Sequence, residues 1–265
     1  MSYLRIFLIF LISYGFSEQS KFVVVIPSYN NIKWIEKNLA SALSQRYKNY
    51  RVIYVDDASK DGTGDAVINF IQKNKPSVPI KLVRNSFNKG AMRNFYEVIH
   101  DQTTDDEIIV NLDGDDWFAS NRVLSILDQI YSNPKKEIWM TYGQFIFSEE
   151  KQLGFCRRYP DEVEANLRFR EHEWLASHLR TFYSWIFKKI KKEDLQIESE
   201  FFQTSCDQAI MLPLLEMARN HYYCCPKVLY IYNTSNPISD GRIKSNDCQR
   251  TYNYIRALPK YEPLD

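Results

Sequence analysis

The chain has 265 residues, 45% of them apolar and 15% aromatic, enough to fill the core of one large domain or two small ones. Its 34 basic and 33 acidic residues leave a formal charge of +1, which excludes a global field built for nucleic acid or an anionic membrane. Five cysteines (Cys156, Cys206, Cys224, Cys225 and Cys248) show no CxxC pair and an odd count. That argues against a structural zinc site and a full disulfide framework, and predicts mostly reduced, partly buried thiols.

The segment "MSYLRIFLIFLISYGFSEQS" carries one cation, Arg5, before the apolar run Ile6 to Ile12. The run is short for a bilayer span but has the length of a signal-peptide core, followed by small residues. Residues 1–17 are therefore expected to be a signal peptide or short membrane anchor, the alternative being a buried N-terminal element. From Lys21 the pattern changes to alternating units. "KFVVVIP" predicts a buried strand and "NIKWIEKNLASALSQ" a helix with Ile32, Ile35, Leu39 and Leu43 on one face. "YRVIYVDD" and "GTGDAVINFIQKN" repeat the strand and helix, as do "PIKLVRN" and "GAMRNFYEVIHD"; "DEIIVNLDGDD" is a fourth strand ending on aspartates.

Strands alternating with helices imply an α/β fold with a mostly parallel central sheet flanked by helices, binding ligands beyond the carboxyl ends of its strands. Beyond about residue 135 the alternation fades. "EIWMTYGQFIFSEEKQLGFCRRY" predicts strands joined by a polar turn at Ser148 to Lys151. "EHEWLASHLRTFYSWIFKKIKKEDL" predicts partial helix, "SCDQAIMLPLLEMA" a helix that Pro213 should kink, and "KVLYIYN" a last strand. No linker separates the halves, so 18–265 reads as one domain, with 21–120 a nucleotide half and 121–265 an acceptor half.

The strand ends carry the polar groups. In extended backbone Asp113 and Asp115 would face one side, and two hard oxygen donors suit Mg2+ or Mn2+ held jointly with phosphates. Gly114 between them would let a ligand approach the backbone; the competing reading is an Asp-rich turn. Asp56 and Asp57 end the second strand, where a carboxylate can bind a base or ribose, or else cap the next helix. Lys89 and Arg93 could neutralise a diphosphate or could face solvent. No GxGxxG, GxxxxGK[ST] or GxSxG occurs, and His100, His172, His178 and His221 lack HExxH spacing, which disfavours dehydrogenase, P-loop, serine-hydrolase and zinc-hydrolase chemistry. Cys206 beside Asp207 lacks a readable activating base and reads as a core thiol.

Taken in order, "VVVIPSYNNIKWIEKNLASALSQ", "VIYVDDASKDGT", "NSFNKGAMRN" and "VNLDGDDW" closely resemble the family 2 glycosyltransferases of the GT-A fold, over about residues 21–120. "TYGQF", "SHLRTFY", "CDQAIMLPLLEMA" and "LYIYN" extend the resemblance less diagnostically. It implies transfer of a sugar from a nucleotide-diphosphate sugar to an acceptor hydroxyl, with inversion, on a GT-A (Rossmann-like) fold. It further implies that Pro27, Tyr29, Asp56 and Asp57 hold the nucleoside, that Asp113 and Asp115 hold a divalent metal on the diphosphate, and that Asp207 is the general base. Cys206 departs from the family's usual acidic pair, and Asp207 as a helix cap is the plain alternative. His178 and Arg180 are candidates for the diphosphate or acceptor; Trp117 is a candidate wall of the acceptor site, with core packing the default.

Two other classes remain open at this level: a non-catalytic relative that binds nucleotide or glycan, and a nucleotidyltransferase, which the missing Gly-rich basic loop disfavours. The expected partners are the donor and a glycan, lipid or protein acceptor, with no nucleic acid and with membrane association only through the N-terminus. A secretory signal suits a nucleotide-sugar enzyme in a eukaryotic lumen but not in a bacterial periplasm, so the location stays open between a secretory or membrane-associated enzyme and a cytoplasmic one. Asn233-Thr234-Ser235 is a sequon read as coincidental.

Overall fold

The computed structural model describes residues 19–237 and 245–265, so the expected leader or anchor at 1–17 lies outside them. In chain order the first half supplies β1 (Lys21–Ser28), α1 (Ile35–Leu43), β2 (Tyr50–Asp56), α2 (Thr63–Asn74), β3 (Ile80–Arg84), α3 (Ala91–Gln102), β4 (Glu107–Asn111) and β5 (Trp117–Phe118). The second half adds α4 (Val123–Tyr131), β6 (Met140–Phe147), α5 (Asp161–Ala165), β7 (Thr181–Tyr183), α6 (Ser184–Phe187), β8 (Gln196–Ile197), β9 (Glu200–Phe201), α7 (Cys206–Ala218), β10 (Tyr222–Tyr232) and a C-terminal helix, Ser245–Ala257.

Eight strands form one mixed sheet in the order β3-β2-β1-β4-β7-β6-β10-β5. The pairs β1–β2, β1–β4, β2–β3 and β6–β10 are parallel; β7 runs antiparallel to both its neighbours, and β5 antiparallel to β10. Both halves of the chain thus contribute to the same sheet. Apolar side chains alternate between its two faces. Val23 and Val25 join the cluster under α3 and α7, while Phe22, Val24 and Ile26 join the cluster under α1 and α4. Both faces are covered, which is why the central strands read as continuous apolar runs rather than alternating ones.

Two expectations change. Within the stretch expected to be partly helical, Thr181 to Tyr183 forms a strand, and the helical parts are the four-residue α6 and a 3-10 turn at Lys192–Leu195. Thr181 and Phe182 are held by ladders from β4 and β6, and this pairing on both edges overrides local helical preference. Pro213 lies inside α7, which runs on through it with every residue from Gln208 to Ala218 buried, so tertiary packing offsets the lost N–H bond. Only one named strand, β6, precedes the turn at Ser148–Lys151; the returning chain makes a single bridge, Ile146 to Leu153. Among the described residues no helix is long and apolar enough to cross a membrane.

Candidate active site

A cavity of about 460 Å³ opens beyond the carboxyl ends of β1 and β4, walled on the far side by the start of α7 and the C-terminal helix. Pro27 and Tyr29 from the end of β1, Asp113 and Asp115 from the turn after β4, and Asp207 from α7 all line it. His178 and Arg180, just before β7, line it too. Residues far apart in sequence therefore meet at one place.

The turn Asp113–Asp116 is built tightly. Asp116 N–H donates to the Asp113 carbonyl at 3.1 Å, and Asn38 Nδ2 donates to the carbonyls of Asp113 and Asp116 at 3.0 and 2.8 Å. The three-aspartate run is thus a turn, not extended backbone, and a long-range clamp rather than alternation along a strand orients Asp113 and Asp115. Gly114 faces the end of β1: a Cβ there would lie 2.5 Å from Ser28 Oγ. Close chain packing thus requires glycine here, and Gly114 also lines the cavity.

The aspartates are not equivalent. Asp116 is 1% exposed; it accepts the Tyr230 hydroxyl at 2.6 Å and the Asn233 N–H at 2.7 Å, tying the turn to β10. Burial, then the adjacent Asp115 and Asp113, hold its carboxyl well above the ordinary value. Asp113 keeps a third of its side chain open. Burial pushes its carboxyl up, but Arg180, His178 and hydrogen bonds from Asn111 and Tyr230 outweigh this and leave it below the usual value. Asp115 accepts Asn236 Nδ2 at 2.7 Å.

Arg180 Nη2 donates to Asp113 Oδ2 at 3.1 Å, and its Nη1 lies 3.9 Å from Asp207 Oδ2. His178 stacks on the Tyr230 ring with centroids 4.4 Å apart and planes 9° from parallel. Burial, then Arg180, lower its pKa to about 3, so the ring is neutral at neutral pH. Its Nδ1 is buried without a hydrogen-bond partner, and a ligand atom from each of Asp113, Asp116 and His178 falls within 4.8 Å of the others. A neutral imidazole with a bare nitrogen beside two carboxylates is a donor set for a divalent cation.

The remaining expected residues sit outside the cavity lining. Asp56 accepts Ser59 N–H at 3.1 Å and lies 3.6 Å from Arg84 Nε. Asp57, 3% exposed, accepts Lys89 and Gly90 N–H at 2.9 and 2.8 Å and Asn85 Nδ2 at 2.7 Å. It holds the entry to α3, while Asp61 accepts Thr63 N–H at the start of α2. Lys89 and Arg93 both pair with Glu97, at 2.6 and 2.7 Å. Trp117 is buried in β5 beneath Lys37, which stands 3.5 Å from its ring centroid. Asn233 of the sequon is 1% exposed, so the folded chain withholds it from modification. Cys156, Cys224 and Cys225 are free thiols.

Sequence reasoning missed Tyr230, Asn236 and Asn38. Tyr230 sits in an apolar strand, and the only signal was a polar tip in a run otherwise fit for core.

The family model described as glycosyl transferase family 2 matches residues 23–193. The putative glycosyltransferase EpsE of Bacillus subtilis is 34% identical over 192 residues, covering 69% of this chain and 67% of the relative. WfaP of Escherichia coli, a UDP-Glc:alpha-D-GlcNAc-diphosphoundecaprenol beta-1,3-glucosyltransferase, is 30% identical over 142 residues, covering 53% of this chain but only 52% of its own. The match thus spans about half the length of that relative. Among solved structures, residues 1–349 of S. aureus TarS superpose with a TM-score of 0.61 at 17% identity, over 80% of this chain and 60% of that one, which shows a common fold.

Proposed function

The chain belongs to glycosyl transferase family 2, and on that premise we propose that it moves a sugar from a nucleotide-diphosphate sugar to an acceptor hydroxyl with inversion at the anomeric carbon. The observation that carries the reading is the cavity in which Asp113, Asp115, His178, Arg180 and Asp207 meet at the carboxyl ends of the strands. TarS, which shares the fold, has been seen with UDP-GlcNAc and with UDP, and WfaP acts from UDP-Glc.

Pro27 and Tyr29 offer an apolar and aromatic wall for the nucleoside. Asp56 and Asp57 brace the loops around that wall, and Lys89 and Arg93 stand at the entry to α3. Asp113 and Asp115, with Asp116 and His178 beside them, would hold Mn2+ or Mg2+; the bare Nδ1 of His178 and the open Asp113 carboxylate fit such a cation. A bound divalent ion supplies positive charge where the leaving diphosphate gains negative charge. Arg180 adds a fixed cation at the same point and holds Asp113 ionised. Asp207, a quarter exposed and in the first turn of α7, is the carboxylate that takes the proton from the acceptor hydroxyl as its oxygen attacks. The acceptor is a glycan, lipid or protein hydroxyl entering past Ser205, Cys206 and Cys248, and residues 1–17 are proposed as a leader or membrane anchor.

Asp207→Asn tests the role of the base. Its kcat should fall by about 10²–10⁴ with the donor KM unchanged. NMR of the product should show inverted anomeric configuration. Full turnover in the variant, or retention in the product, would contradict this mechanism.

A further inference from the structure

We infer that Tyr230 is a positioning residue for the cation-binding groups, an inference that rests on the proposed metal-assisted reading of the site. Tyr230 belongs to β10 and has no exposed surface. Its neighbours in the sheet are Phe118 on β5 and Phe145 on β6, so from its strand alone it reads as core. The hydroxyl has a different environment. It receives the Asp113 N–H at 3.2 Å, donates to Asp116 Oδ2 at 2.6 Å, and stands 3.3 Å from Asp113 Oδ2. The ring carries His178 stacked on its face. One phenol therefore touches all three side chains of the Asp113, Asp116 and His178 group.

A phenol has one proton and two acceptor lone pairs. The Asp113 N–H takes the acceptor side, and the shorter contact assigns the proton to Asp116. This arrangement has two effects. It separates two neighbouring carboxylates with a donor, relieving repulsion that would turn one of them away. It also leaves Asp113 Oδ2, held by Arg180 at 3.1 Å, beside the cavity where a cation would sit. The stack on the same ring fixes the plane of His178, so its bare Nδ1 keeps a set direction. Hydrogen-bonding groups behind a ligand set commonly change metal affinity by about 10–100-fold when removed.

Tyr230→Phe separates the hydroxyl from the packing, because the ring and the His178 stack remain. Mn2+ binding is read by electron paramagnetic resonance of the free ion, without nucleotide, beside the thermal midpoint of each protein. The expected result is a loss of affinity of about tenfold or more in Tyr230→Phe, with little change in midpoint. A 3-fluorotyrosine at position 230, which keeps the hydroxyl, should restore affinity to within about twofold of the wild type. Equal Mn2+ affinity in the wild type and Tyr230→Phe, with Asp113→Asn weakened, overturns this inference alone. No Mn2+ binding by the wild type overturns both this inference and the metal reading on which it rests.

Discussion

Arg180 donates to the Asp113 carboxylate at 3.1 Å while its other terminal nitrogen stands 3.9 Å from Asp207, so one buried guanidinium links the proposed donor side of the cavity to the proposed base. Burial raises the Asp113 pKa and Arg180 is the largest influence lowering it. Removing the cation in Arg180→Met should therefore raise the Asp113 pKa. Because the ionised form is the one that serves the donor, the acid limb of the kcat/KM profile should move to higher pH. An unmoved limb in the variant would separate Arg180 from the state of Asp113.

His178 sets an acid limit on stability. Unfolded, it takes a proton near pH 6.5; folded, burial and Arg180 delay that until about 3. As pH falls through this window the unfolded chain binds the extra proton, so stability drops by about 1.4 kcal/mol per pH unit. Asp116, whose carboxyl burial and the neighbouring aspartates raise well above its ordinary value, pulls the other way. His178→Phe removes the first effect, and denaturant unfolding at pH 6.5 and 5.5 should show a flatter dependence than the wild type.

The cavity wall formed by α7 and the C-terminal helix is tied down by a buried ion pair. Arg170 grips Glu216 of α7 with two hydrogen bonds, at 2.6 and 2.8 Å, and donates to the Ile255 carbonyl of the C-terminal helix at 2.6 Å. Arg256 adds a bond to Gln208, next to the proposed base. Arg170→Met leaves Glu216 buried and unpaired and should cost about 3–5 kcal/mol of unfolding free energy. Pairing it with Glu216→Leu should recover most of the loss, measured by chemical denaturation.

Much of the first half could be read from the chain itself, because apolar runs capped by Pro27, Asp56 and Asp113 mark strand ends and strand ends mark the site. Asp207 could be placed near the site only through the resemblance, since nothing local links a helix start to a turn some 90 residues earlier. Tyr230 and Asn38 were illegible for a related reason: each acts across long sequence separations, and each resembles ordinary strand or helix content. The Thr181–Tyr183 strand was hidden by its flanks and exists because two sheet edges needed a partner. The packing of Gly114 against Ser28 was not legible, because it joins turns far apart in the chain.

Release of nucleoside diphosphate from a panel of UDP-, GDP- and TDP-sugars, with Mn2+ or with EDTA, tests the central claim most directly when wild type and Asp115→Ala are run together. The site described here predicts release from at least one donor, abolished by EDTA and lowered by at least about 100-fold in the variant. Release that is equal in Asp115→Ala, or none from any donor by folded wild-type protein, would contradict it.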